Sequence, residues 1–343
     1  MRKVKLSYLG ALFVLSLLLA VIYYLVSTGM IIEVYQAFTT LNYYYLLVGV
    51  LLAFFFWLFG SLTTHVIIKH FYPNFKFRHS FEVIMIGQFF NGITPFASGG
   101  QPMQVLALRK NGVQASKGTS VLTIKFVVYQ IVLVVISTFL VVLKYGDLRN
   151  QIDFLDLFVI IGFGFNLIIA IAILYLSIAK DNNIKAILGL GKILKRLGIV
   201  KDYDLYSIRV HNYLHDFHEC SDILRGNTKI LMMSAIYTTI QILSMLCVPY
   251  FVVRSFGIDV NLLAVVASAG FILMVASLVP IPGGSGGAEG GFILIMGIFL
   301  SSTQITTALI LWRGITYYLG IVAGGLVYIV HILKHERDRS LNT

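Results

Sequence analysis

Charge is what this 343-residue chain has least of. Only 12% of its residues are Asp, Glu, Lys or Arg, against about 25% in a soluble domain. With 58% hydrophobic residues and a mean hydropathy of +0.87, this shortage excludes a soluble globular protein. Cysteine is nearly missing: Cys220 and Cys247 are the only two, which excludes a disulfide framework or a four-cysteine zinc site. Proline is scarce at six. Acid is scarcer than base, 15 residues against 26, which leaves a net charge of +11. Such an excess of base can signal nucleic-acid binding, but where the basic residues lie argues against it.

What is abundant is apolar sequence in runs of about 20 residues, the length that crosses a bilayer as helix. Six full spans are predicted: Leu6–Thr28, Leu41–Ile68, Thr119–Leu143, Phe154–Ile178, Ile230–Val253 and Ile305–Leu333. The first follows Met-Arg-Lys-Val-Lys, is long for a signal-peptide core and lacks a small-residue cleavage site, so it reads as an uncleaved span. Two more apolar regions, Phe81–Leu108 and Leu262–Leu300, are cut in the middle by Gly and Pro. Each returns the chain to the side it left, as a re-entrant hairpin or as two short spans.

With the N-terminus inside, the cytoplasmic segments are 1–5, 69–80, 109–117, 179–229 and 334–343. They hold 21 of the 26 basic residues, and the outer loops hold only Lys144, Arg149 and Arg254. Positive charge gathers on the cytoplasmic side of membrane proteins. The basic excess is therefore a topology signal, both termini are expected in the cytoplasm, and nucleic acid is excluded as a partner.

The two cuts are the chemically informative stretches. Pro280-Ile-Pro-Gly-Gly-Ser-Gly-Gly-Ala-Glu289 packs two prolines and four glycines into ten residues, which cannot continue a helix. Broken backbone inside a bilayer needs cover from protein or a polar cavity, and transporters place substrate sites at such breaks. Pro95-Phe-Ala-Ser-Gly-Gly-Gln-Pro-Met-Gln104 is a weaker copy, with Pro95, Gly99 and Gln104 each 185 residues before Pro280, Gly284 and Glu289. Lys125 and Tyr129 lie 188 residues before Arg313 and Tyr317. Span, broken hairpin and span thus occur twice, over 41–143 and 230–333, entered from opposite sides. The expected fold is an all-α polytopic membrane protein, a single transmembrane domain over 1–343, built as an inverted-topology repeat.

Lys125 and Arg313 are cations within spans, and charge at that depth requires a partner or water. They can snorkel to the interface, Arg313 can pair internally with Glu289, or both can hold an anionic headgroup. Arg offers a bidentate fork to phosphate and Lys a point charge. Helix N-termini after the breaks add backbone donors suited to an anion. Glu289 either stabilises the first turn of its own helix, pairs a cationic headgroup or serves proton coupling. The candidate substrate-binding set is Lys125, Arg313, Glu289, Asn91, Thr94, Ser98, Gly99, Gly100, Gln104, Gly283, Gly284, Ser285, Gly286, Tyr129 and Tyr317. Neutral polar side chains near the breaks, Gln101 among them, can equally satisfy freed backbone groups. No catalytic arrangement, metal or cofactor is expected.

Segment 179–229 mixes Ile184, Ile187, Leu188 and Ile193 with Lys185, Lys192, Lys195 and Arg196. That pattern suits a basic amphipathic helix on an anionic leaflet, or one packed against the bundle end. His211, His215, His218 and Cys220 are metal-ligand types at helical spacing, but solvated helix faces explain them better than zinc.

Taken in order, Gln88-Phe-Phe-Asn91-Gly92-Ile-Thr94-Pro95-x-x-x-Gly99-Gly100-Gln-Pro, Pro280-x-Pro-Gly-Gly-x-Gly-x-x-Glu289 and Arg313-x-x-Thr316-Tyr317-Tyr318 make the chain resemble the lysylphosphatidylglycerol synthase transmembrane-region family, over about residues 5–335. Relatives often carry a branched residue and an arginine where this chain has Ser285-Gly286-Gly287-Ala288. The resemblance implies a bacterial plasma-membrane protein that moves an anionic or aminoacylated phospholipid, such as lysyl-phosphatidylglycerol, between leaflets and so supports resistance to cationic antimicrobial peptides. Full-length synthases add a soluble lysyl-tRNA-dependent domain. This chain ends ten residues after its last predicted span, so the expectation is a transporter rather than a phosphatidylglycerol lysyltransferase. It would work as a homo-oligomer or beside a separate lipid-modifying synthase. A lipid-phosphate transferase and a non-catalytic partner of a cell-envelope glycan assembly enzyme are the alternatives.

Overall fold

The computed structural model describes residues 41–94, 97–149, 164, 167–168, 171, 187–189, 191–193, 195–196, 202–276 and 286–340. The predicted spans Leu6–Thr28 and, for the most part, Phe154–Ile178 lie outside these residues, as do Pro95, Pro280, Gly283, Gly284 and Ser285. Among the described residues the chain is helical throughout: α1 (Tyr43–Phe71), α2 (Phe77–Ile93), α3 (Gly100–Lys110), α4 (Ala115–Arg149), α5 (Tyr203–Arg225), α6 (Thr228–Ser255), α7 (Leu262–Ala276), α8 (Gly287–Met296), α9 (Ser302–Arg313), a π-helical turn (Gly314–Tyr318) and α10 (Leu319–Ser340). Among the described residues, four stretches are long and apolar enough to cross a membrane: Tyr43–Phe71, Ala115–Lys144, Thr228–Ser255 and Gln304–Lys334. Each overlaps a span predicted from sequence.

The broken regions resolve into helix pairs, α2 with α3 and α7 with α8. At 1.5 Å per residue the 11 residues of α3 and 10 of α8 reach only about 15 Å, half the thickness of a hydrocarbon core. Neither crosses a bilayer alone.

The strongest packing joins α1 to α6. The amide of Asn42, which caps α1, donates to the carbonyl of Ser255 at the end of α6 (2.9 Å), so the two helices run antiparallel. Small residues on α1, Gly49, Ala53, Gly60, Ser61 and Thr64, are buried along its length and let the backbones approach as in membrane bundles. A Cβ on Gly60 would lie 2.8 Å from Nε2 of Gln241, and the hydroxyls of Thr63 and Thr238 sit 3.4 Å apart across the pair. Around this axis α2 packs on α1 and α10, and α7 packs on α6 and α4.

Outward faces are apolar at helical steps of three and four: Leu47, Leu51 and Phe54 on α1, Met232, Ile236, Ile240 and Leu243 on α6, Val322, Leu326 and Val330 on α10. Exposed hydrocarbon on this scale belongs in lipid.

Polar contacts group the loops into two ends. Asn42, Ser255 and Arg254 share one. At the other, Nδ1 of His65 lies 3.2 Å from Oγ of Ser80, and Glu82 gathers Arg78 (3.0 Å), His79 (3.4 Å) and, from α10, His331 (3.6 Å). Lys69, Lys76, Arg109, Lys110 and Lys334 belong to the helix ends and turns of this second group. The sorting matches the charge bias seen in the sequence. Because His331 is buried and Glu82 nearly so, Glu82→Gln is expected to destabilise the protein by about 1–3 kcal/mol, read as a lower unfolding temperature in detergent.

Candidate functional site

Arg313 and Glu289 meet. Nη2 of Arg313 lies 2.7 Å from Oε1 of Glu289, with the arginine side chain 8% exposed and the carboxylate 30%. The guanidinium also sits 5.1 Å from the ring centre of Trp312 and 5.2 Å from that of Tyr317, within the range of cation–π attraction. Glu289 has a second task. Its Oε2 accepts the Gly286 amide at 2.6 Å, half of a capping box at the N-terminus of α8. Gly286 has φ +85°, a conformation glycine adopts without strain. The internal pair and the first-turn role foreseen for Glu289 therefore coexist on its two oxygens.

Immediately after Arg313 the helix widens. The amide of Leu319 bonds the carbonyl of Gly314, five residues back. The sequence pattern predicts one uninterrupted span here; π turns add a residue to the helix turn and are frequent at functional sites. With this geometry the Tyr317 hydroxyl donates to the carbonyl of Gly92 at 2.6 Å. Gly92 lies in the last turn of α2, where carbonyls have no helical donor. Thr94 supplies the neighbouring cap: its hydroxyl donates to Phe90 O (2.7 Å) and accepts the Gly99 amide (2.9 Å). Thr94 thus binds the two sides of the first break together. Tyr317→Phe strips Gly92 of its donor, and the expected cost is about 1–2 kcal/mol in a denaturation series.

Two polar side chains of the first hairpin face its own backbone. Asn91 lies against Gly100 and Gln104 against Gly87, each occupying the space a Cβ would need. Gln104 is buried and Ser98 exposed. These contacts explain why glycine stands at 87 and 100, since any side chain would displace an amide.

A cavity of about 180 Å³ opens beside Arg313. Its walls come from α6 (Met245, Leu246, Pro249), α7 (Ala269, Ile272, Leu273), α8 (Ala288) and the segment Trp312, Arg313, Thr316, Tyr317. Pro249 lies inside α6 and, having no N–H, deprives the Met245 carbonyl of its helical donor. Pattern reading passed over this proline because the surrounding run is uniformly apolar.

Lys125 and Tyr129 are half-buried on α4, one helical turn apart, and neither lines the cavity. Tyr129 and the cavity-wall residue Met245 both pack against the cluster of Phe56, Trp57 and Met85. The structure thus brings Arg313, Glu289, Gly286 and Tyr317 together and links them through Gly92 to the break held by Thr94 and Gly99. On α5, His211 and His215 are exposed as expected of a solvated face, but His218 is buried. His215, Asp216 and Glu219 bring potential metal-ligand atoms within 4.8 Å of one another; Asp216 and Glu219 were not singled out by the sequence pattern.

The family model described as the lysylphosphatidylglycerol synthase TM region matches residues 8–324. The chain belongs to this family. The chain is similar to a UPF0104 membrane protein of Archaeoglobus fulgidus, 26% identical over 303 residues, covering 86% of this chain and 89% of its own length, and to a UPF0104 membrane protein of Methanothermobacter thermautotrophicus, 26% identical over 239 residues and 67% of each chain. The lysylphosphatidylglycerol synthase membrane-region match takes in both broken hairpins, Arg313 and the π turn.

Proposed function

We propose that this protein is a phospholipid translocator that carries an anionic or aminoacylated headgroup, of the lysyl-phosphatidylglycerol kind, between the leaflets of the plasma membrane. The observation that carries the reading is the Arg313–Glu289 pair beside a cavity within the membrane-spanning bundle. A lipid phosphate competes with the Glu289 carboxylate for the Arg313 fork. A headgroup that also bears an ammonium gives Glu289 a replacement partner, so neither buried charge is stranded, a loss that costs several kcal/mol. Aminoacylation supplies that ammonium.

The architecture behind the motion is the inverted repeat, with six full spans and two broken hairpins. Its support is the reciprocal packing: α2 lies on α10 of the other unit and α7 on α4 of the other unit, while the leading helices α1 and α6 run antiparallel. Rocking of one unit against the other exposes the site to alternate leaflets. Termini are cytoplasmic on the charge bias, Lys125 offers a second contact along the headgroup's path, and a separate synthase supplies the lipid. The protein moves lipid and makes no covalent bond: the carboxylate nearest the cavity, Glu289, is engaged with Arg313 and the Gly286 amide.

The test uses purified protein in proteoliposomes carrying a trace of fluorescent aminoacyl-phosphatidylglycerol. Reductant added outside is expected to bleach the probe well beyond the half seen in protein-free liposomes. Equal bleaching with and without protein rejects the reading, and so does new lipid formed when the protein is incubated with lysyl-tRNA and phosphatidylglycerol.

A further inference from the structure

We infer that the cavity beside Arg313 is a hydrocarbon subsite that takes about six carbons of an alkyl chain carried by the amphiphile whose anionic group the arginine binds. This rests on the reading of Arg313 as an anion-binding group and adds a second element of recognition, the chain itself. The walls decide it. Leu246, Ala269, Ile272, Leu273 and Ala288 offer only carbon, and the polar side-chain atoms come from one edge, Trp312, Arg313, Thr316 and Tyr317. The Thr316 hydroxyl donates to the Trp312 carbonyl at 2.7 Å, so its proton is committed. A phosphate placed on Arg313 has oxygen-binding groups to one side and an apolar space on the other.

The volume gives the length of chain. A protein cavity of about 150 Å³ lined by aliphatic side chains stays dry and binds benzene. At about 180 Å³ this one takes around six carbons. Water, which needs two to four polar partners, finds them only along the Trp312–Tyr317 edge and at the Met245 carbonyl, whereas the side chains of the α7 and α8 walls are all carbon, so hydrocarbon suits the greater part of the space. The surrounding bilayer is the source of hydrocarbon, and the charge at the rim selects amphiphiles with an anionic head.

The experiment is calorimetric titration of the full-length protein in detergent, corrected against empty micelles, with inorganic phosphate and then ethyl, butyl and hexyl phosphate. Affinity is expected to rise with chain length, by up to about threefold to fourfold per methylene, and to level off beyond six carbons. Ala269→Phe fills the space: inorganic phosphate should bind as before and the chain-length dependence should vanish. Ala288→Val, a smaller change, should flatten it in part, and keeps the test alive where the phenylalanine variant does not fold. Equal affinity for phosphate and hexyl phosphate, as a void sealed by protein would give, overturns the subsite, and so does a dependence that survives both substitutions. Failure of every phosphate to bind the wild type removes the anion role of Arg313 as well, so the two readings fail separately.

Discussion

Arg313→Gln is expected to reduce lipid translocation at least a hundredfold while the protein remains folded. Glutamine keeps much of the side chain's length but removes the charge and the paired donors that phosphate requires. It leaves Glu289 without its ion partner, but that carboxylate is 30% exposed and retains the Gly286 amide, so water and the cap absorb part of the loss. Glu289→Gln is expected to lower transport of an aminoacylated lipid strongly and of a plain anionic lipid less, because only the former presents an ammonium. The charge-swapped protein, Arg313→Glu with Glu289→Arg, separates structure from recognition. It restores an ion pair and should recover part of any stability lost in the single variants, yet it places the cation on another helix and should transport nothing. Recovery of transport in the swapped protein shows that the pair is structural. Initial rates in proteoliposomes and unfolding temperatures in detergent are the two measurements.

Gly324→Ala is expected to cost about 2–4 kcal/mol and to abolish transport at the growth temperature. Gly324 of α10 faces α2 where the helices come closest. A methyl there would overlap the Met85 carbonyl and lie 3.0 Å from both the Phe89 amide nitrogen and its Cβ. Backbone cannot swing aside as a flexible side chain does, so the helices must part. That seam carries buried Phe89 and Ile321, the stack of Phe89 on Tyr328, the Tyr317–Gly92 bond and the Glu82–His331 contact. Gly290→Ala is the control, because a methyl at that position meets nothing within 4 Å. Comparing the two glycines by thermal unfolding isolates helix approach from helix propensity, which favours alanine in both.

Much of the scaffold was legible in the sequence because a bilayer imposes length and polarity rules that can be counted. Runs of apolar residues located α1, α4, α6 and the α9–α10 stretch to within a few residues, and the Gly/Pro clusters located both interruptions. The cost of leaving Arg313 in hydrocarbon allowed three outcomes, snorkelling to the interface, pairing with Glu289 or holding an anionic headgroup, and the pair with Glu289 is the one present. Three features were not legible. Nothing in Gly314-Ile-Thr-Tyr-Tyr318 announces a π turn, since the apolar period does not change, and the Tyr317–Gly92 bond joins residues 225 apart that no local pattern relates. The cavity was equally hidden, because it depends on how Ala269 and Ala288 on neighbouring helices align.

The Tyr317 hydroxyl closes the join between the halves of the bundle, and its ring flanks the guanidinium. One side chain therefore serves both as weld and as wall. In the proposed translocator a headgroup held at the cation would meet that ring, and parting the join would withdraw it. Linkage then requires that whatever free energy the headgroup adds to or takes from the join, the join returns to headgroup binding.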